Sequence, residues 1–346
     1  MSAPEDPDDD RPDDDRDEGP ADEFDWIERC LRPLAADAPE ALGLLDDAAV
    51  VPARPGFDLV ITKDAIVEGV HFLPSDQLDA VARKLLRVNL SDLAAKGAEP
   101  YGYFLAIAWP AACGWPERRA FANGLRADQD AFGLKLFGGD TVSTPGPLTL
   151  SATLLGWVPA GGMVRRSGAR EGDVVLVTGT IGDGALGLKA ARGEAMELAP
   201  ADAAWLAERY RTPSPRLGLG KALRRWAHAA ADVSDGLIAD AGCVAAAGGV
   251  RIALDLDRMP LSTAAGAWLA LQPDAQTARL AMAAGGDDYE VVCTAPPSSE
   301  MSLRTAAEAL GFSMTRVGVV SAGVGVHVTS GGAELQVTRA GWRHGQ

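Results

Sequence analysis

Apolar positions recur along the chain with two periods, and the alternation between them predicts the elements. Residues 57–62 (FDLVIT) and 101–109 (YGYFLAIAW) read as strands, rich in β-branched and aromatic side chains. Between them Val81, Leu85, Val88 and Leu93 follow helical spacing, which predicts a long amphipathic helix from about Asp79 to Lys96. Pro116 suits the first turn of a further helix, which Gly133 ends before a strand at 134–137. A strand at 148–158 closes this half, and the turn residues Pro159-Ala160-Gly161-Gly162 mark a domain boundary. Beyond it the strands DVVLVTG, VRIALDL, YEVVCTA and MTRVGVV alternate with helices near 184–192, 201–210, 215–229, 236–247 and 298–310. At the other end Asp22 is placed to cap a helix carrying Phe24, Ile27 and Leu31 on one face. With no repeat of solenoid period, the pattern predicts a mixed α/β (α+β) fold in two lobes, residues 24–160 and 161–346.

Charge changes this picture only at the start of the chain. Residues 1–25 carry 13 acids and two arginines, so most of the net −16 sits there and the rest of the chain is only mildly acidic. Residues 1–23, proline-interrupted and self-repelling, are expected to be a disordered tail. Neither part offers the basic face that nucleic acid demands, so no nucleic-acid partner is expected. The longest apolar stretch, Tyr101 to Trp115, is broken by Pro110, and the N-terminus lacks a signal-peptide pattern. Four scattered cysteines without a CxxC pair fit buried thiols in a reducing compartment. A cytoplasmic protein without a membrane partner is the expectation.

Candidate chemistry lies in the placement of aspartates. Asp46-Asp47 precede AAVV, Asp64 ends LVITK, Asp92 lies in VNLSDLAAKG, Asp140 follows LKLF through Gly138-Gly139, and Asp232 and Asp235 occur in DVSDG. Any one of them is most simply a turn former or N-cap. Carboxylates clustered without histidine or cysteine would make an all-oxygen environment selecting magnesium, manganese or calcium, and magnesium commonly completes its shell with phosphates. A nucleoside triphosphate is then the natural ligand, although the GxxxxGK[ST] loop and the protein-kinase signatures are missing.

In order and spacing, LDDAAVV, TKDAIVEGVHF, VNLSDLAAKGAEP, GGDTVS, RSGAREGDVVLVTGTIGDGALGL, TPSPR, DVSDGL and GGDDYE resemble the thiamine-monophosphate kinase family. The resemblance runs from about Phe24 to the C-terminal GW pair. It implies a superfamily shared with aminoimidazole ribonucleotide synthetase, and an N-terminal lobe that gives strands to a homodimeric β-barrel with ATP near the interface. It further implies that Asp47, Thr62, Asp64, Asp92, Asp140, Asp232 and Asp235 belong to magnesium sites, that Gly139, Arg166 and Ser234 lie at ATP, and that His71, Asp287 and Trp342 face thiamine monophosphate. The reaction so implied moves the γ-phosphoryl group of ATP onto a phosphate. That acceptor has a second pKa near about 6, so it is largely ionised at neutral pH and no residue is assigned as general base.

Three positions depart from the family pattern. Leu45 stands where glycine is usual, Lys63 where a hydroxyl residue is common, and GGDDYE carries Asp287 for the usual glutamate. Two alternatives stay open: another ATP-using member of the superfamily, or a nucleotide-binding regulatory protein without turnover.

Overall fold

A computed structural model describes residues 23–342. The expected tail and the Asp22 cap lie outside these residues. The described chain opens with α1 (Glu23–Trp26), continues through a π-helical turn at Ile27–Leu31, and enters α2 (Arg32–Leu34). Trp26 is the anchor of this segment: its ring meets Trp109 edge-on at 5.6 Å, and Trp109 meets Phe121 in the same way at 5.6 Å.

A first sheet follows, made of β1 (Phe57–Val67), β2 (Glu99–Pro110), β3 (Lys135–Thr144) and β4 (Thr149–Pro159) in the order β1-β4-β2-β3. Only β2 and β3 run parallel, because α4 (Trp115–Phe132) carries the chain back between them; α3 (Leu78–Lys96) links β1 to β2. Both helices end on a left-handed glycine, Gly97 at φ 70° and Gly133 at φ 66°, a conformation that costs a residue without Cβ almost nothing. One face of the sheet packs on α3 and α4 through Val60, Ile66, Leu105, Ile107, Ala152 and Leu154, all buried.

The second sheet has the order β11-β10-β7-β9-β5-β8-β6. Its members in chain order are β5 (Val174–Thr178), β6 (Ala229–Val233), β7 (Arg251–Asp255), β8 (Glu290–Ala295), β9 (Met314–Ser321), β10 (Gly325–Ser330) and β11 (Ala333–Glu334). Between them run α5 (Asp183–Ala191), α6 (Pro200–Arg211), α7 (Gly220–Trp226), α8 (Leu237–Gly248), α9 (Thr263–Ala270), α10 (Ala275–Ala283) and α11 (Glu300–Glu308). The mixed α+β reading holds, as two sheets with helices.

The strand expected to stop at residue 137 instead runs through Gly138-Gly139-Asp140 to Thr144, and the helix expected over 215–229 is only α7, after which β6 begins. Short, wholly buried Ala229–Ala231 satisfy their backbone groups against β8, which outweighs the helical preference of alanine.

The two sheets are joined through α3. Its first half packs on β1 and β4, and its last turn joins a cluster with Val164, Leu219, Leu223, Ala230 and Val291 from the second half. Arg87 on this helix donates to the carbonyl of Pro213 at 3.1 Å, and Lys96 to that of Ala230 at 2.7 Å. Among the described residues no helix is long and apolar enough to cross a membrane.

Candidate functional site

Three of the singled-out aspartates lie on α3 or on elements that border it where it passes between the sheets, near enough for their charges to act on one another. Asp64 projects from β1 on the side of buried Ala152, its strand partner, and its backbone N–H donates to Oδ1 of buried Asn89 on α3 at 3.1 Å. Asp92, one turn further along α3, accepts a hydrogen bond from the Thr62 hydroxyl. Asp232 ends β6.

Burial and the Asp92 charge push Asp64 up to about 6. Burial, then Asp92, Asp240 and Asp64, push Asp232 well above the carboxylate range, with Lys96 opposing. In both, burial is the larger cause and the neighbouring carboxylates add to it. Lys96, itself held below the ordinary lysine value by burial and then Arg166, is the nearest built-in counter-charge. This places Arg166, in the short turn Arg166–Gly168, beside the acidic group.

A tight turn supports the second edge of the site. The backbone N–H groups of Ser234, Asp235 and Gly236 all donate to Oδ2 of Asp240 at 3.0–3.2 Å, so one buried carboxylate shapes the loop. Burial, then Asp235, raises Asp240 to about 7. Gly236 sits at φ 124° with the carbonyl oxygen of Gly285 2.8 Å from where a Cβ would be, so no other residue fits. The turn's outer groups then bind neighbours: the Ser234 carbonyl accepts from Asp287 N–H, and that of Asp235 from Trp342 N–H at 3.0 Å.

The GGDDYE run sorts into distinct roles. Asp288 accepts from the N–H groups of Gly182 and Gly184 at 2.8 and 2.9 Å, so it occupies the α5 N-terminus; that end of the glycine loop is filled by the protein's own carboxylate. Fully buried Glu290 receives Arg216 and, at 3.4 Å, Arg209, and the Thr178 hydroxyl at 2.7 Å. Asp287 alone faces the site: its carboxylate accepts from the Tyr289 hydroxyl at 3.1 Å and lies 3.6 Å from the Lys84 ammonium. The Tyr289 hydroxyl is raised first by burial, then by the charges of Asp287, Asp64 and Asp232. His71 closes this end, with its Nδ1 accepting from Val67 N–H at 3.1 Å.

Asp47 and Asp140 are placed elsewhere. The β2–β3 register sets Asp140 beside Ala106, on the exposed face of the sheet, opposite the face that carries Asp64. Both line a cavity of about 430 Å³ at the β3 edge, with Gly138, Gly139 and Thr141 and an apolar wall that includes Phe104, Ile107 and Phe137. The spacing of motifs could not show this, because a strand continuing past Gly138 decides the face. Among the described residues no group of three or more His, Cys, Asp or Glu side chains stands at metal-binding distance. Sequence reading passed over Lys84, Asn89, Lys96, Tyr289 and Asp240; burial of their polar groups is the signal, and it is visible only in three dimensions.

Comparison with known proteins supplies the family. Residues 45–158 match the N-terminal domain, and residues 170–331 the C-terminal domain, of AIR synthase related proteins. A thiamine-monophosphate kinase of Caulobacter vibrioides is 54% identical over 326 residues, 94% of this chain and 92% of the relative. The crystal structure of thiamine-monophosphate kinase from Stenotrophomonas maltophilia superposes with a TM-score of 0.79 at 39% identity, covering 89% of this chain and 97% of that one. A structure of AaThiL complexed with AMPPCP and TMP gives 0.74 at 29% identity, covering 93% and 96%. The chain belongs to the AIR synthase related proteins and, within them, to the thiamine-monophosphate kinase family.

Proposed function

We propose that the protein transfers the γ-phosphoryl group of ATP to thiamine monophosphate, forming thiamine diphosphate with magnesium as the metal. The observation that carries this reading is the placement of acidic groups along α3: Asp64 on the face of β1 that α3 covers, Asp92 on α3 bonded to the Thr62 hydroxyl, and Asp232 in β6, with the charge of Asp92 raising the pKa of both others. These donors are hard oxygens whose mutual repulsion calls for cations, and Asp64, Asp92 and Asp232, with the Thr62 hydroxyl and Asp235 at the rim, are the groups that would hold magnesium. When bound, magnesium screens the charge between two phosphate groups and orients them for displacement.

The chain's own residues divide the remaining tasks. Arg166 and Lys96 border the acidic group and suit phosphate oxygens. Asp47, Asp140 and Gly139 line the cavity at the β3 edge, whose apolar wall suits a nucleotide; Ser234, in the turn after β6, is the residue that the family resemblance assigns to ATP. His71, Asp287 and Trp342 take the acceptor end, where Trp342 is 44% exposed and offers an aromatic face. An acceptor already ionised needs no base, and transfer is direct and in line, without a phosphoenzyme.

On the outer face of the first sheet Leu59, Ile61 and Val142 are exposed, and among the described residues no further strand pairs with the edges β1 and β3. We propose that a second copy covers it, giving a homodimer with a barrel between the subunits.

ADP release from ATP, measured with and without thiamine monophosphate and magnesium, tests the activity. Release is expected only when both are present, and Asp92→Asn, which removes a group that would hold magnesium, is expected to lower it about 100-fold. Nucleotide binding without any turnover would overturn the kinase reading in favour of a regulatory protein.

A further inference from the structure

Lys84 stands out among the charged groups that the proposed reaction leaves unused. It lies in the first half of α3 with its side chain only 2% exposed, a rare place for an ammonium unless it is paired. Its Nζ donates to the backbone carbonyl of His71 at 2.9 Å, stands 3.6 Å from Oδ1 of Asp287, and sits 3.6 Å from the centre of the Tyr210 ring. The Tyr210 hydroxyl donates to the same His71 carbonyl at 3.1 Å. One ammonium thus touches α3, the segment after β1, α6 and the loop before β8, which belong to both halves of the chain.

The charges around it leave one partner. Asp76 also faces Lys84, but its carboxylate is taken by Arg211 at 2.6 Å and by the N–H of Leu73 at 2.8 Å. Asp287 is the anion that balances the buried ammonium. Its backbone is held at φ 69°, and Tyr289 at φ 51°, left-handed conformations that a side chain keeps only when its surroundings impose them. The Asp287 N–H bond to Ser234 imposes this from the backbone, and Lys84 and the Tyr289 hydroxyl act on the carboxylate.

We infer that Lys84 is a positioning residue: across the junction of the two halves it holds both the Asp287 carboxylate and the His71 segment, and so sets the seat of the phosphate acceptor. The inference rests on the proposed function, since Asp287 and His71 are the acceptor end of that reading. A group that merely stabilised the fold would affect both substrates alike. One acting through Asp287 alters recognition of the acceptor and loses its effect once Asp287 is neutral.

The test compares wild type, Lys84→Met, Asp287→Asn and the double variant by ADP release, with KM for each substrate. Lys84→Met is expected to raise KM for thiamine monophosphate about tenfold while KM for ATP stays within about twofold. In the Asp287→Asn background the same substitution is expected to change KM for thiamine monophosphate less than about twofold, the mark of coupled neighbours. Equal rises in both KM values, or effects that multiply in the double variant, would overturn the inference. Should Lys84→Met not fold, Lys84→Gln, which keeps an N–H for the His71 carbonyl, replaces it with the same expected coupling. If neither folds while Asp287→Asn does, Lys84 serves the fold and the inference is overturned. Wild-type protein that releases no ADP with thiamine monophosphate would overturn the kinase reading first, and the role of Lys84 with it.

Discussion

Asp64 shows how the site sets local stability against charge. Its ordinary carboxyl value of 3.8 is raised to about 6 by burial and by Asp92. A carboxyl that binds its proton more tightly folded than unfolded makes its ionised form a cost to folding. That cost is complete above about pH 6 and is relieved as pH falls from about 6 towards about 4, so the metal-free protein should gain up to about 3 kcal/mol on mild acidification. Magnesium should relieve the same cost near neutral pH by neutralising the pair in place. Urea unfolding in EDTA near pH 7.5 is expected to find Asp64→Asn more stable than wild type, and magnesium to stabilise wild type but not the variant. Equal magnesium effects on both proteins would place the ion elsewhere. The aspartates themselves were legible as acidic positions set into apolar runs, although Asp64 lies inside β1, which runs on to Val67, Asp140 inside β3 and Asp92 inside α3 rather than at turns. Their grouping was not: Asp140 shares its motif style with Asp64 yet lies on the other face of the sheet.

At the scale of elements, what the periodicity could read was packing against a partner of matching period. The helix expected at 79–96 is α3 at Leu78–Lys96, and the strand expected at 148–158 is β4 at Thr149–Pro159, because apolar residues run through the whole length of each. Among the missed elements, β6 is alanine-rich and α9 carries small residues without a helical apolar stripe; α10 and β10 were passed over although Ala278 and Met282, and Val328 and Ser330, are buried at the spacing of a helix and a strand. The extension of β3 past residue 137 has a steric cause. At Gly139 a Cβ would lie 1.8 Å from the Leu105 carbonyl oxygen, so β3 reaches its register with β2 only because that position has no side chain. Gly139→Ala must push the two parallel strands apart, and about 2–3 kcal/mol of destabilisation is expected from urea midpoints. The strand shift moves Asp140, so activity should fall further than the residual folded fraction accounts for. A variant with wild-type stability would mean that β3 has room to slide.

For the whole molecule, the division into two sheets was legible from the turn-rich stretch near residue 160, and the part α3 plays in joining them was not, since burial on several sides leaves no polar face to read. The first sheet poses a problem that the chain does not solve alone. Its inner face is covered by α3 and α4, but on the outer face Ile61 is 59% exposed and Val142 52%, and among the described residues neither edge strand has a further partner. Exposed apolar side chains between two open edges invite association, and a closed arrangement of two copies removes both liabilities where an open one would propagate. Sedimentation equilibrium is therefore expected to find wild type as a dimer at micromolar concentration and Ile61→Asp as a monomer. Because Ile61 is exposed in the single subunit, the substitution should change monomer stability by no more than about 0.5 kcal/mol, leaving the circular dichroism spectrum intact. A wild-type monomer, or a variant that still dimerises with wild-type affinity, would show that this face is not the contact between copies.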